Sequence, residues 1–256
     1  MTFSIIGNGN IAWFFGGRIA AARHRCVGVF GRNPEATRQL ADFLLVEKCG
    51  KVEDLEDKLS DICLLAVSDN AIPEVASKLK LKKTVLIHTA GAVSIDSIQN
   101  AAPDRAVLWP VYSIVRTNPP GHRDIPCAWE ASSDRAKRMV QEIGHTITDH
   151  LFEARYDQRK WLHISAVISN NFINHLLAIC EQICTENKVP FSTLMPIIEQ
   201  TIERIRQGSP RNLQTGPAAR NDENTISTQL NLLENHPAWQ KIYEAITESI
   251  KNDRNR

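Results

Sequence analysis

The segment 3–20, FSIIGNGNIAWFFGGRIA, decides the fold because a Gly-Asn-Gly turn joins an apolar run to a helix-like run. The apolar run 3–6 is typical of a buried strand, and the residues after Gly9 favour a helix. Gly7, Gly9 and Ala12 give the spacing G-x-G-x-x-A, which in a strand–turn–helix context is typical of a dinucleotide-binding turn. The alternative is a tight turn that binds no ligand.

Beyond this turn, short apolar runs alternate with amphipathic segments up to about residue 150. Buried strands are predicted at 2–7, 26–31, 61–68, 84–91 and 106–113, with helices or helical turns at 11–24, 34–45, 70–80 and 94–102. Further strands near 127–132 and 145–150 flank a predicted helix at 134–144. The alternation predicts a Rossmann-type, doubly wound parallel sheet with helices on both faces.

The strand signal disappears from about residue 152. One long helix is predicted over 155–187, and further helices over 190–207, 223–235 and 237–252, whereas residues 252–256 are predicted to be disordered. We therefore predict an α/β protein of two domains. Residues 1–151 form an NADP-binding Rossmann domain, and 152–256 form an all-helical domain for substrate binding and dimerisation.

Bulk composition excludes several classes of function. The formal net charge of the 256 residues is +1, with no long run of lysine and arginine, which argues against nucleic-acid binding. The chain lacks an apolar run long enough to span a membrane and shows no leader peptide at its start. The six cysteines are scattered without a set of metal ligands, so we expect reduced thiols, no metal site and a cytoplasmic location.

The glycine turn predicts how a cofactor is held. Gly7 permits the tight turn, Gly9 lets the backbone approach a pyrophosphate, and the following helix N-terminus offers free N–H groups. We therefore expect the pyrophosphate to be bound by Gly7, Asn8, Gly9, Asn10 and Ile11.

The second strand indicates which dinucleotide is bound. NAD-binding units usually carry Asp or Glu about 20 residues beyond the glycines, but here Gly31, Arg32 and Asn33 follow the strand. Arg32 can form charge-assisted bonds to a 2′-phosphate, which predicts NADP(H) over NAD(H). The alternative is that Arg32 is a solvated loop arginine.

Two more strand ends should face the same crevice. Ala66, Val67 and Ser68 are expected beside the adenosine-side ribose and the phosphates. A second group, His88, Thr89 and Ala90, is expected nearer the nicotinamide. A histidine at a strand end is often a satisfied turn residue, so that interpretation of His88 stays open.

The sequence resembles known families at several motifs. The motifs IIGNGNIA (5–12), GRNPE (31–35), AVSDNAI (66–72), HTAG (88–91) and WPVYS (109–113) resemble the NADP-binding domains of pyrroline-5-carboxylate reductases and F420-dependent NADP oxidoreductases. LHISAVISNNFINHLLAI (162–179) and QTGPAARNDENTISTQLNLL (214–233) resemble the DUF2520 family, which implies an NADP oxidoreductase with a 6-phosphogluconate-dehydrogenase-like arrangement. Asn221 departs from the family's usual glycine, but asparagine tolerates a left-handed backbone, so we expect the turn to persist.

The long helix carries a polar stripe. At 100° per residue, His163, Asn170 and Asn174 fall within about 20° of one line on an α-helix. We predict that His163 donates or accepts a proton and that the two amides orient a carbonyl or imine in the interdomain cleft. Arg220 could bind a substrate carboxylate or phosphate beside Asp222. The alternatives are a packing network or solvent-facing stripe, and an Arg220–Asp222 clasp at a helix cap.

These observations together predict an NADP(H)-dependent oxidoreductase acting on a small carbonyl, imine or hydroxy compound. We also expect a homodimer, because the segment STLMPIIEQTIERI (192–205) is amphipathic. The rival interpretation is a non-catalytic NADPH-binding sensor or regulatory protein. A third, reduction of a deazaflavin, rests on analogy between folds.

Overall fold

The computed structural model describes residues 1–254, which separate into two compact units. The first is Met1–Asn171 and the second begins at Phe172. The functional boundary predicted after residue 151 lies 20 residues before this division, within the first unit, and stays a prediction.

A single sheet organises the first unit. Its eight strands have the order β3-β2-β1-β4-β5-β6-β7-β8. In chain order they are β1 (Thr2–Ile6), β2 (Arg25–Phe30), β3 (Cys49–Gly50), β4 (Ile62–Leu65), β5 (Val85–His88), β6 (Arg105–Pro110), β7 (Cys127–Ala131) and β8 (Leu151–Glu153). Only the pair β6–β7 is antiparallel among these paired strands. The order 3-2-1-4-5-6 is that of a Rossmann sheet, so the predicted fold class is confirmed.

Helices cover both faces of this sheet, namely α1 (Asn10–Ala21), α2 (Pro34–Phe43), α3 (Ile72–Ser77), α4 (Asp134–Ile147) and α5 (Tyr156–Ala166). Successive strand residues point to opposite faces. In β4, Ile62 and Leu64 therefore belong to the core that α1, α2 and α4 cover, whereas Cys63 and Leu65 belong to the core covered by α3. Burial on both faces explains why the strands appear in the sequence as continuous apolar runs.

One prediction about this sheet was wrong. Residues 145–147 of the strand predicted at 145–150 belong to α4 instead, because the buried positions Val140, Ile143 and Ile147 continue the helical period to its end. The last strand is instead Leu151–Glu153, which pairs with β7. The short strand β3 was also missed, because two residues give too short a pattern to recognise.

The second unit is helical in the described residues, with α6 (Ile173–Glu186), α7 (Met195–Gln207), α8 (Pro217–Arg220), α9 (Glu223–Leu232) and α10 (Pro237–Arg254). The single helix predicted over 155–187 is interrupted by a π-helical segment, Val167–Phe172. The disorder predicted for 252–256 was wrong for residues 252–254, because Arg211 donates to the carbonyl and carboxylate oxygens of Asp253 at 2.9 Å. The remainder, residues 255–256, lies outside the described residues.

Candidate functional site

The glycine turn follows β1 and fixes the start of α1. Gly7 has a φ of +114°, and a Cβ atom there would lie 2.2 Å from the carbonyl oxygen of Ala66. Its N–H group donates to the Phe30 carbonyl at 2.8 Å. Glycine is therefore required at this position, because a side chain would meet both backbone strain and a rigid neighbour.

Gly9 has a different reason to lack a side chain. A Cβ atom there would have no protein atom within 4 Å, so the space in front of this residue is open. Gly9 also precedes α1, whose N-terminus carries no side-chain cap. The first N–H groups of a helix have no intrahelical acceptors and attract anions, so the turn fits a pyrophosphate.

A cavity of about 520 Å³ adjoins this turn, and we call it the cofactor cavity. Three chain segments that line it contain predicted cofactor residues: Gly7, Asn8, Gly9, Gly31, Arg32, Asn33, Ala66, Val67 and Ser68. Asn10, Ile11, His88, Thr89 and Ala90 are not among the residues that line this cavity. The structure thus brings nine of the fourteen predicted cofactor residues to one cavity.

Cations mark the end of the cofactor cavity next to β2. Arg32 is exposed, and within residues 1–254 no carboxylate pairs with it or with Lys51, which also lines the cavity. Lys78 differs, since its ammonium pairs with Glu53 at 3.2 Å. Sequence reasoning missed Lys51, although its position directly after β3 places it at the same edge as Arg32.

The turn after β2 is held by side-chain hydrogen bonds. A Cβ atom on Gly31 would lie 2.6 Å from the Thr37 hydroxyl oxygen, so the carboxylate typical of NAD sites has no room here. Asn33 caps α2 by accepting from the Ala36 N–H group at 3.1 Å. Asn8 donates from its amide to the Thr37 hydroxyl at 3.1 Å. Asn8 and Asn33 therefore shape the turn that presents Arg32.

The end of β5 is buried rather than open. The His88 side chain is 0% exposed, and its Nδ1 accepts from the Ala90 N–H group at 3.3 Å. Burial, reinforced by the cation of Arg159, lowers the pKa of His88 to about 3. The imidazole is therefore neutral near pH 7. Its Nε2 atom is buried without a hydrogen-bond partner in the described residues, and the expected nicotinamide contact at this strand end stays a prediction.

Arg159 on α5 is a buried cation that sequence reasoning missed. Its side chain is 0% exposed and forms an ion pair with Glu130 on β7. It also donates to the carbonyl oxygens of Val93 at 2.9 Å and Ala154 at 3.1 Å. A buried charge needs such partners to offset its lost hydration. The helical pattern around it gave no sign that this position is buried.

His163 lies on α5 against Trp109, with ring centroids 5.7 Å apart. Its Nδ1 atom is buried and has no hydrogen-bond partner in the described part of the chain. Asn170 is exposed and belongs to the π-helical segment. That segment adds about one residue to a turn, which rotates later positions by roughly 100°. The chain between His163 and Asn174 is therefore not one ideal α-helix, and the predicted alignment of His163, Asn170 and Asn174 stays a prediction.

The remaining predicted residues belong to the second unit. Asn174 is exposed near the start of α6. Asp222 caps α9 by accepting from the Thr225 N–H group at 3.1 Å and hydroxyl at 2.7 Å, and these bonds lower its pKa. Asn221 has the expected left-handed backbone, with a φ of +54°. Arg220 forms no ion pair within residues 1–254, so the expected clasp with Asp222 is not a direct salt bridge.

Two family descriptions match the chain. Residues 2–91 match the family "NADP oxidoreductase coenzyme F420-dependent", and this match includes the glycine turn and Arg32. The fold and this match define the class of the protein as an NADP-dependent oxidoreductase with a Rossmann domain, as predicted. Residues 125–250 match "Domain of unknown function (DUF2520)". The second half of the chain is therefore similar to the DUF2520 domain, and both resemblances noted in the sequence are confirmed.

Solved structures show the same architecture. A Bacteroides fragilis protein provisionally described as an NADP oxidoreductase is 28% identical, with a TM-score of 0.89 and 98% of each chain covered. Pyrroline-5-carboxylate reductase from Streptococcus pyogenes is 14% identical, with a TM-score of 0.63 and 98% of each chain covered. A reductive aminase from Aspergillus terreus, in complex with NADPH, cyclohexanone and allyl amine, is 12% identical, with a TM-score of 0.64. That match covers 98% of this chain and 91% of the aminase. No curated protein matches the chain.

No group of three or more His, Cys, Asp or Glu side chains in residues 1–254 could hold a metal ion. No helix of the same range is both long and apolar enough to cross a membrane.

Proposed function

We propose that the protein transfers a hydride between NADP(H) and a small carbonyl, imine or hydroxy compound. The observation that carries the proposal is the unpaired guanidinium of Arg32 in the cofactor cavity, beside a turn that only glycine can form. The bound nicotinamide would supply or accept the hydride. The Aspergillus terreus protein of the same fold, a reductive aminase, is consistent with a carbonyl or imine substrate.

Four groups of this chain would hold the cofactor. The open backbone at Gly9 and the α1 N-terminus would bind the pyrophosphate through N–H groups. Arg32 and Lys51 would bind the 2′-phosphate through charge-assisted hydrogen bonds. The backbone of Ala66–Ser68 would line the path between these two sites, and His88–Ala90 would lie nearer the nicotinamide.

The proposed catalytic roles follow the side-chain chemistry. His163 would donate or accept the proton, and its unpartnered Nδ1 supports a role beyond packing. Asn170 and Asn174 would orient the carbonyl or imine, which is consistent with a π-helical segment, since such segments are frequent at functional sites. Arg220 would bind an anionic substrate group while Asp222 fixes the start of α9.

The proposal includes the assembly and location of the protein. We propose a homodimer formed through apolar residues of α7, several of which are exposed. A cytoplasmic location would suit the thiols of Cys63 and Cys127, whose burial raises each pKa to about 12 and keeps them unreactive.

The test compares Arg32→Gln with wild type and with Arg25→Gln, an exposed arginine at the opposite end of β2. We expect wild type to consume NADPH with at least one member of a carbonyl and imine panel. Arg32→Gln should weaken NADPH binding about 10- to 150-fold and leave NADH binding unchanged, since one phosphate contact is lost. Arg25→Gln should bind both cofactors as wild type does.

Two outcomes would overturn parts of this proposal. Unchanged NADPH affinity in Arg32→Gln would remove that residue from the cofactor site. Tight NADPH binding by wild type without turnover of any panel compound would favour a sensor or regulatory protein over an enzyme.

A further inference from the structure

A second cavity of about 600 Å³ lies along α1 in the first unit. We call it the aromatic cavity and define it by Trp13, Phe14, Arg18, Phe43, Arg116 and Pro120. Its walls come from α1, from the end of α2 and from the segment 111–126 that joins β6 to β7. It shares no lining residue with the cofactor cavity, although Asn10, which is predicted to contact the pyrophosphate, also lines the aromatic cavity. Its volume falls within the usual range for small-molecule sites.

Aromatic rings and guanidinium groups form the walls of this cavity. Trp13 packs against Phe43 with ring centroids 4.8 Å apart, and the Arg116 guanidinium lies 5.0 Å from the Trp13 ring centroid. The Arg18 guanidinium lies 5.2 Å from the Phe14 ring centroid. The lining includes these two cations and no Asp or Glu of the described residues. The cavity is therefore apolar and positively charged.

Two residues that line this cavity have hydrogen-bond donors without partners. The indole Nε1 of Trp13 is buried and has no acceptor in the described chain. Arg116 is exposed and makes no salt bridge within residues 1–254. Arg18 differs, because it donates to the carbonyl oxygens of Pro120 and His122, each at 2.7 Å. Arg18 thus anchors the loop, while the indole N–H of Trp13 and the guanidinium of Arg116 remain unpaired in the described residues.

A buried donor without an acceptor is unfavourable, and native proteins usually satisfy such groups. A carboxylate would accept from the Trp13 indole and pair with Arg116. A flat apolar ring system would pack against Phe14, Phe43 and Pro120. We propose that the aromatic cavity binds a small molecule that joins a flat ring system to a carboxylate, separately from the dinucleotide.

The experiment is calorimetric titration of the whole protein with 2-naphthoate. Hexanoate supplies the charge without the rings, and 2-naphthamide supplies the rings without the charge. We expect one naphthoate per chain and at least about tenfold weaker binding of either comparison compound, because each lacks half of the recognised chemistry. Saturating NADPH should leave the naphthoate Kd unchanged within about twofold.

Variants assign the binding to this cavity. Arg116→Gln should weaken naphthoate binding about tenfold, and Trp13→Phe, which keeps an aromatic ring but removes the indole donor, about fivefold. Arg138→Gln, an exposed arginine on α4, should bind naphthoate as wild type does. Circular dichroism checks that each variant is folded.

Four results would overturn the proposal. They are no heat of binding up to about 1 mM naphthoate, equal binding of 2-naphthamide, undiminished binding by Arg116→Gln, and complete displacement of naphthoate by NADPH. The last would show that the two cavities hold parts of one ligand. None of these results depends on catalytic turnover, so the proposal can fail while the proposed oxidoreductase function stands.

Discussion

His88 illustrates how a single residue is controlled by its surroundings. The imidazole ends a buried strand, and both desolvation and the nearby cation of Arg159 disfavour its protonated form. Glu130 compensates the charge of Arg159, so the pair can remain in the interior. A residue type associated with proton transfer is thereby kept neutral near pH 7.

The low pKa of His88 predicts how stability depends on pH. The folded-state pKa is about 3, below the ordinary value of 6.5, so the unfolded chain takes up a proton first as the pH falls. Stability from this residue is complete above pH 6.5 and is lost between pH 6.5 and 3, at up to about 1.4 kcal/mol per pH unit. Urea unfolding of wild type should therefore show a steeper decrease in this range than that of His88→Gln.

Wild type and His88→Gln have the same carboxylates, which therefore contribute equally to the pH dependence of both proteins. The difference between their slopes of unfolding free energy against pH belongs to His88. Equal slopes would contradict the prediction. If His88→Gln does not fold, the His88 ring resonances of wild type provide the measurement, and titration of those resonances near pH 6.5 would contradict it equally.

The sequence revealed some residues of the site and could not reveal others. Gly7, Gly9 and Arg32 were predictable because their roles depend on the local chain and on the order of strands. The pair Arg159–Glu130 was not predictable, because it joins α5 to β7 across 29 residues and depends on tertiary packing. Burial of His88 was open from the sequence for the same reason.

At the scale of elements, the turn between β1 and α1 contains two glycines that lack a side chain for different reasons. A Cβ atom on Gly7 would collide with the backbone of Ala66, which directly follows β4 and cannot move without disturbing the sheet. A Cβ atom on Gly9 would meet no protein atom but would enter the space proposed for the pyrophosphate. One glycine serves folding, and the other is expected to serve binding.

This contrast makes Gly7→Ala and Gly9→Ala matched controls for each other. Gly7→Ala should lower the free energy of unfolding by about 1–3 kcal/mol, from strain at a positive φ and the collision with Ala66. Gly9→Ala should change it by less than about 0.5 kcal/mol but raise the NADPH Kd at least about tenfold. Urea unfolding and calorimetry measure the two effects. Wild-type NADPH affinity in Gly9→Ala would mean that the pyrophosphate does not approach this residue.

The segment from α5 to α6 shows where prediction from the sequence pattern fails within a helix. The existence of the helix was predictable from its composition, but the π-helical turn at Val167–Phe172 was not. A π-helical turn contains about one residue more than an α-helical turn. It does not change the composition of the segment, but it rotates the side chains that follow it about the helix axis. An ideal helical wheel drawn across such a segment therefore does not describe the side-chain directions on both sides of it.

At the scale of the whole molecule, the alternation of strands with helices and the later change to helices alone were predictable because periodicity differs so clearly between the two halves. The sheet was predicted as parallel, and only its β6–β7 pair departs from this. That departure depends on the course of the loop 111–126, which no periodic pattern specifies. The same loop forms one wall of the aromatic cavity, so a site there could not have been predicted either.

Exposed apolar residues on α7 lead to the last prediction, on assembly. Met195, Ile202 and Ile205 are 41–48% exposed and are spaced so that they share one helical face. A stable dimer typically buries about 800 Å² per partner, and apolar residues at its centre contribute most of the affinity. We therefore expect wild type to be a dimer at micromolar concentration.

The double variant Ile202→Glu/Ile205→Glu should raise the dimer Kd at least about 100-fold by placing charges in the interface. Sedimentation equilibrium measures this, and the exposed Gln200→Glu substitution on the same helix should leave the dimer intact. A monomeric wild type, or a double variant as dimeric as wild type, would exclude this face of α7 as the interface.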